Sequence, residues 1–403
     1  MRWSPQQDSA LKSVDEWLKD PDSPQVFRMF GYAGTGKTTL AVHLAQGVGG
    51  EVMFGAFTGK AAYVMQTKGC VGASTIHSMI YRSRNKSDSD LVKLERDLAE
   101  LRAEFPDGHP RIRDLEENIF REKNNLKRPA FTLNIDSSVK YANLVIIDEC
   151  SMVDDKMGKD LLSFGTKVLV LGDPAQLPPV GGAGFFTEDV NPEVMLTEVH
   201  RQARDSPIIE MATKVRNQIP LSVGSYGENC EVKSKTRIDP ELVFEFDQIL
   251  VGRNLTRNAS NRRYRSLQGV HDPYPRDGDK IVCLRNNHDE ALLNGAMFRV
   301  DRIEDISDGK IMMDISPESG SAIQEVIAHE HHFLGKADEL EWYEKKDANE
   351  FDFGYALTVH KSQGSQWNKV LLFDESGVFR NDKWRWLYTG ITRAAEAVTL
   401  VKM

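Results

Sequence analysis

The sequence predicts an α/β protein built on two mainly parallel sheets. Short apolar runs at Val26–Phe30, Val52–Phe57, Leu144–Ile147, Val168–Leu171, Ile249–Val251, Val370–Phe373 and Val398–Val401 each end in polar or Gly-rich residues. Such runs, bounded by breakers and separated by longer helical stretches, read as buried strands of α/β units. They fall into an early and a late group, hence two sheets. The chain has 403 residues, 40% of them hydrophobic and 28% charged. That length suggests two or three domains at about 150 residues each, with apolar material for more than one core.

Two stretches interrupt the pattern. Residues 84–130 hold 11 basic and 11 acidic residues, with Leu91, Leu94, Leu98, Leu101 and Phe105 at spacings of three and four. After the turn signal Pro106–Pro110, a second stripe runs through Ile112, Leu115, Ile119 and Leu126. This reads as a helical hairpin; mixed charges at helical spacing favour a solvated face over a binding arm. Residues 275–350 contain short β-like runs separated by Gly and Asn, which read as a small inserted β-barrel.

Composition excludes several classes. No apolar run approaches the ~18 residues of a transmembrane span, and no apolar stretch follows the N-terminus as in a signal peptide. Cys70, Cys150, Cys230 and Cys283 are too far apart for a paired-cysteine metal motif or a disulfide scaffold, so a reducing, cytoplasmic setting is expected. The formal charge of −9 argues, as an average, against a nucleic-acid partner. The average conceals its parts: residues 276–352 hold 9 basic against 19 acidic residues, leaving the remainder near neutral.

Gly31-Tyr32-Ala33-Gly34-Thr35-Gly36-Lys37-Thr38 follows a strand and precedes the helix-like Thr39–Ala45. This is the phosphate-loop pattern in its proper context. Backbone N–H groups at Gly34, Thr35, Gly36 and Thr39 and the positive end of the helix suit phosphate. Lys37 pairs the β- and γ-phosphates and Thr38 holds Mg²⁺ in this reading, so ATP and Mg²⁺ are the expected cofactors. A second apolar strand ends in Asp148-Glu149: Asp148 would anchor the metal and Glu149 would orient and deprotonate the attacking water. A third ends in Gly172-Asp173-Pro174-Ala175-Gln176-Leu177-Pro178-Pro179, from which Gln176 would reach the γ-phosphate or that water; the plain alternative is a Pro-rich turn.

At this point the chain resembles superfamily 1 helicases. The phosphate loop, Phe57–Ala62, Ser74–His77, Asp148-Glu149, Gly172–Pro179, Leu196–Gln202, Ala356–Gln366 and Tyr388–Ala394 stand in the order of that family's motifs. Ser4-Pro5-Gln6-Gln7 resembles its upstream adenine-reading motif, with Gln6 the competitor of Gln7. The wording Thr-Gly-Lys-Ala-Ala and Gln-Leu-Pro-Pro is most like the 5′→3′ branch, superfamily 1B, which includes the RecD-, Dda- and Pif-type helicases. Cys150 departs from the small residue usual after Asp-Glu and reads as packing.

The resemblance implies two RecA-like P-loop domains with ATP between them. The first would span 1–185 with the 84–130 hairpin inserted, and the second 186–274 and 351–403 with an SH3-like β-barrel inserted at 275–350. Arg201 and Arg393 would reach the γ-phosphate from the second domain, Gln7 would bind adenine, and Gly364 would lie at the nucleotide. Single-stranded DNA would run over Thr58, Lys60, Thr75, His77, Thr358, His360 and Lys361. Arg253, Arg257, Arg262 and Arg263 are further candidates for strand contacts, the alternative being that they only solvate a helix. The expected partners are single-stranded DNA, single/double-strand junctions and replication or recombination proteins, with no membrane and a monomeric chain in a bacterial or phage-infected cell.

Other readings are a strand translocase or protein-displacing motor with weak unwinding, an RNA-directed motor, a P-loop small-molecule kinase, and a non-catalytic DNA-binding subunit. A kinase leaves the motifs after residue 196 unexplained. A non-catalytic subunit predicts loss of Lys37, Glu149 or Arg393, and all three are present. His329-Glu330-His331-His332 lacks the spacing of a zinc motif and reads as surface or core histidines.

Overall fold

The computed structural model describes residues 3–83, 88–105, 109–127, 131–179, 184–187, 191–198, 206–237, 239–287, 290, 292–318, 323–340 and 348–403. It divides into two compact units, His77–Ser138 and the remainder, Met1–Ile76 with Val139–Met403.

The larger unit contains three sheets. The first has the spatial order Ser74–Thr75, Val52–Ala56, Leu144–Asp148, Val168–Gly172, Val26–Gly31, Val194–Leu196, and every pairing is parallel. Val168–Gly172 is buried throughout, as expected of a strand with helices on both faces. The N-terminal helix Pro5–Lys19 begins with a capping box between Ser4 and Gln7 and has Pro5 in its first turn. Its buried Ala10, Val14 and Trp17 recur at helical spacing and join Phe27, Met29, Leu40 and Leu44 in the core of this sheet.

The second sheet runs Ala356–Thr358, Gln248–Val251, Trp367–Asp374, Ala394–Lys402, Cys230–Ser234, Gly224–Gly227, parallel except for its last pair. Its core holds Trp386, Tyr388, Val398 and Leu400, and it also takes in Leu177 from the loop that follows the first sheet's Val168–Gly172.

The third sheet is antiparallel, in the order Gln324–His329, Lys310–Pro317, Met297–Ser307, Lys280–Cys283, Phe351–Phe353. A bridge between Ala328 and Asn349 draws its two edges together. The smaller unit contains helices Asp88–Glu104 and Pro110–Lys127 and a two-stranded ribbon of Tyr81–Ser83 with Phe131–Leu133. Arg102 and Glu116 form an exposed ion pair at 2.7 Å from one helix to the other. The first three residues of the expected turn, 106–108, lie outside the described residues.

The strand pairings move two expected boundaries. Val194–Leu196 pairs with Met29–Gly31, so the first sheet continues past 185. Phe351–Phe353 pairs with Ile281–Cys283, so the inserted sheet ends beyond 350. Both strands are only three residues long, too short for a periodic signal. Arg253 and Arg257 are also reassigned: Arg253 pairs with Glu375 at 2.8 Å, and Arg257 with the buried Asp352 at 2.7 Å. Arg262 and Arg263 are exposed. Among the described residues no helix is long and apolar enough to cross a membrane.

Candidate functional site

In a parallel sheet, all C-terminal strand ends share one edge, and loops leaving that edge converge. Here the edge collects the phosphate loop after Val26–Gly31, Asp148-Glu149 after Leu144–Asp148, and Asp173–Gln176 after Val168–Gly172. Gly36 takes φ 80° at the start of helix Lys37–Gly47, a left-handed turn that only glycine adopts without strain. The turn sets the following amides at the helix N-terminus.

A cavity of about 400 Å³ opens there. Gly34 through Thr39, Asp148, Glu149 and Gln176 line one side; Gly364, Ser365, Thr392 and Arg393 line the other. Thr38 Oγ1 donates to Asp148 Oδ2 at 2.8 Å, and Asp148 Oδ1 accepts from the Glu149 N–H at 2.8 Å. The two expected metal ligands are therefore in contact. Lys37 Nζ donates to the carbonyls of Gly31 and Tyr32 at 2.6 and 3.2 Å, beneath the loop it would serve. Gln176 is buried, and its Oε1 has no hydrogen-bond partner. An orphaned buried acceptor at a polar cavity fits a site that receives a donor, such as a nucleophilic water.

Glu149 sits in left-handed backbone at φ 53°, a conformation that costs a non-glycine residue about 1 kcal/mol or more. Burial pushes its carboxyl above the usual range; Arg393 and Lys37 pull it back, and Asp148 pushes it further up. Arg393 is almost fully buried. Its Nε donates to Thr389 O at 3.1 Å and its Nη1 to Ser365 O at 3.2 Å. These bonds fix the guanidinium on the second sheet's side. Arg201 lies outside the described residues. Cys150 is buried with its thiol pushed well up by burial, which is packing behaviour.

Gln7 is tied to the protein backbone. Its Oε1 accepts from the Ser4 N–H at 3.0 Å and its Nε2 donates to Thr35 O at 3.1 Å, so the amide braces the phosphate loop from behind and does not line the cavity. The reason is local: as third residue of the capping box, Gln7 is held by the helix start. Gln6 is bound to Met195 O and to the N–H groups of Thr197 and Glu198.

A second cavity, of about 420 Å³, is lined by Thr58, Lys60, His360 and Lys361, together with Pro179 and the inserted sheet's Leu284 and Asn294. Four of the seven expected strand contacts thus meet. Lys60 Nζ lies 4.7 Å from the Trp367 ring centroid. Burial lowers its pKa to about 8, with Glu318 opposing and Lys280 adding to the effect. His360 packs against Phe379 at 5.3 Å between ring centroids, and burial lowers its pKa. Thr358 and Thr75 are buried; the Thr358 hydroxyl accepts from the Lys361 N–H at 3.3 Å, which shapes the loop. His77 belongs to the smaller unit and packs on Tyr81 and Phe131.

Sequence reasoning passed over Tyr388, Thr389, Gln363 and the Asp173 carboxylate, all of which the structure brings to the boundary between the two parallel sheets. Asp173 had a signal, since it follows a buried strand just as Asp148 does. The inserted sheet's contribution to the second cavity had none.

The model of a family described as an AAA domain matches residues 3–236, more than half of the chain. The chain belongs to that family. A second model, for a UvrD-like helicase C-terminal domain, matches residues 353–401. The chain is 27% identical over 282 residues to the ATP-dependent RecD2 DNA helicase of Deinococcus radiodurans, covering 63% of this chain and 35% of that one. It spans about a third of the length of the curated relatives it matches. Two solved structures share its fold: Pif1 helicase from Candida albicans, at 18% identity, TM-score 0.51, and coverage of 100% and 95% of the two chains; and Pif1 helicase from Bacteroides in complex with ADP-AlF3 and single-stranded DNA, at 18% identity, TM-score 0.51, and coverage of 99% and 92%. Both coverages are nearly complete, so the mixed α/β fold with parallel central sheets is common to all three.

Proposed function

We infer that this chain is an ATP-driven motor that moves 5′→3′ along single-stranded DNA and opens duplexes. One observation supports this most: a single cavity has Lys37, Thr38, Asp148, Glu149 and Gln176 on the first sheet's side and Arg393 on the second's. In this reading the two parallel sheets are RecA-like domains. The antiparallel sheet is an SH3-like insertion in the second, and residues 84–130 are a hairpin inserted in the first.

The donors fit the expected cofactors. The phosphate-loop amides and Lys37 would cradle the phosphates of ATP; the Thr38 hydroxyl and the Asp148 carboxylate would hold Mg²⁺. When bound, that ion neutralises charge on the phosphates. The protein's own residues do the rest. Glu149 would accept the proton of the attacking water, and burial, which holds its carboxyl above the usual range, makes the ionised form a stronger base. Gln176 orients that water. Arg393, approaching from the opposite sheet, stabilises charge that develops on the γ-phosphate; arginines in such a position contribute roughly 10³–10⁵ in rate in other NTPases. Because the arginine and the phosphate loop belong to different sheets, hydrolysis changes how strongly the two sheets are drawn together. A strand lying over Thr58, Lys60, His360 and Lys361 spans the same boundary and would be moved by that change. The solved Bacteroides Pif1, with its nucleotide analogue and single-stranded DNA, supports the reading by its shared fold.

The test is unwinding of forked duplexes with a 5′ or a 3′ single-stranded tail, in the presence of ATP. Unwinding from the 5′ tail is expected; activity only from the 3′ tail overturns the polarity. ATP-dependent strand movement without unwinding would leave a translocase. Lys37→Ala is expected to abolish DNA-stimulated ATP hydrolysis, and unchanged turnover would refute the site.

A further inference from the structure

Tyr388 lies on helix Lys383–Ile391, which precedes Arg393 and packs in the core of the second sheet. Its ring is 2% exposed, yet among the described residues its hydroxyl makes no bond within that sheet. It donates to Asp173 Oδ2 at 2.6 Å and accepts from the Ala33 N–H of the phosphate loop at 3.1 Å. One buried oxygen thus joins the helix that leads into Arg393 to two separate loops of the first sheet. The other Asp173 oxygen accepts from the Ala175 N–H at 3.0 Å, so the carboxylate is held on both sides.

The next residue extends the connection. Thr389 Oγ1 accepts from the Leu177 N–H at 3.0 Å, and Gln363 Nε2 donates to the Leu177 carbonyl at 2.9 Å. Leu177 directly follows Gln176 and is gripped on both faces of its peptide by the second sheet. Thr389 also supplies the carbonyl that receives Arg393 Nε. Alongside, the Arg216 guanidinium lies 3.5 Å from the centroid of the Tyr32 ring in the phosphate loop. The phosphate loop, the Asp173–Gln176 loop and the helix that leads into Arg393 are therefore connected through neighbouring side chains, with the Tyr388 hydroxyl at the junction.

We propose that Tyr388 is a positioning residue for ATP hydrolysis: through Asp173 and Ala33 it fixes the helix that leads into Arg393 in register with the phosphate loop and Gln176. The proposal rests on the ATPase reading above. Ring packing alone does not require it, since a phenylalanine fills the same space. What the hydroxyl adds is a pair of bonds from the second sheet to the first. Burial holds the phenol well above its ordinary pKa, so it remains a donor throughout the working range. A charge-stabilising group acts only when preorganised, and small displacements of it reduce turnover far more than binding.

The experiment measures steady-state ATP hydrolysis with saturating poly-dT oligonucleotide for the parent chain, Tyr388→Phe, Asp173→Asn and the double variant, each checked for folded fraction by circular dichroism and for its melting temperature. Tyr388→Phe is expected to lower kcat roughly tenfold or more, with KM for ATP and Kd for the oligonucleotide within about twofold of the parent. Asp173→Asn is expected to do the same, and the double variant to be no worse than the more damaged single, because both break one connection. A kcat for Tyr388→Phe within about twofold of the parent, or multiplicative losses in the double variant, overturns the proposal. Should Tyr388→Phe fold poorly, Asp173→Asn with normal kcat overturns it equally. A parent chain without DNA-stimulated hydrolysis, or one unaffected by Lys37→Ala, refutes the ATPase reading itself, and the proposal falls with it. An active parent with an unaffected Tyr388→Phe refutes the proposal alone.

Discussion

Gly364 stands so close to Ala61 that a Cβ on the glycine would lie 2.8 Å from the alanine Cβ. Ala61 lies on helix Gly59–Thr67, after a strand of the first sheet, and Gly364 on the turn after strand Ala356–Thr358 of the second; both line the cavity at the phosphate loop. Gly364 also has φ +72°, in the left-handed region. Gly364→Ala is expected to cost about 1–3 kcal/mol of stability from backbone and contact strain together. It should also lower DNA-stimulated ATP turnover sharply, by holding the sheets apart. Urea unfolding and steady-state hydrolysis check the two effects; normal turnover would mean that the contact is incidental.

Lys60 gives a pH signature. Its pKa of about 8 means that the free protein loses this charge as pH rises through 8. Single-strand affinity is therefore expected to weaken between pH 7 and 9 at fixed ionic strength, and Lys60→Arg should remove most of that fall because a guanidinium stays charged. Fluorescence anisotropy with a labelled oligonucleotide measures it. For stability the sign is opposite. A folded pKa below the unfolded value contributes stability that is present above about 10.5 and lost as pH falls through about 8.

His360 faces the second cavity and not the nucleotide. His360→Ala is expected to reduce the stimulation of hydrolysis by DNA more than it reduces hydrolysis without DNA. Turnover at zero and saturating oligonucleotide distinguishes the cases; equal losses would assign the histidine to the nucleotide side.

Arg257 is expected to act on stability. Its ion pair with Asp352 ties helix Asn254–Leu267 to the inserted sheet with both side chains about one-tenth exposed. Removing one partner strands a buried charge, so Arg257→Ala should destabilise by about 3 kcal/mol. Denaturant titration measures this. A much smaller effect, with a large loss of DNA affinity, would return Arg257 to the strand track.

The nucleotide side was legible in the sequence because the chemistry there is local. A phosphate loop needs its glycines, lysine and threonine within eight consecutive residues, and each acidic or polar partner follows a buried strand whose apolar run is visible by itself. Parallel strands must then place those ends on one edge, so Thr38 and Asp148 meet although 110 residues separate them. The strand track was partly legible: Lys60 and His360 share a cavity, whereas Thr75 and Thr358 are buried.

The sequence by itself determined the longer strands of the two parallel sheets and the phosphate-loop pattern between a strand and a helix, both properties of short contiguous motifs. The tertiary structure decided the three-residue strands at 194–196 and 351–353, the turning of Gln7 toward the backbone of the phosphate loop, the pairing of Arg253 and Arg257 with buried carboxylates, and the two hydrogen bonds of the Tyr388 hydroxyl. Each depends on which distant atom lies within about 3 Å of a polar group in a buried setting. Burial makes such partners obligatory, but only the packed chain chooses them.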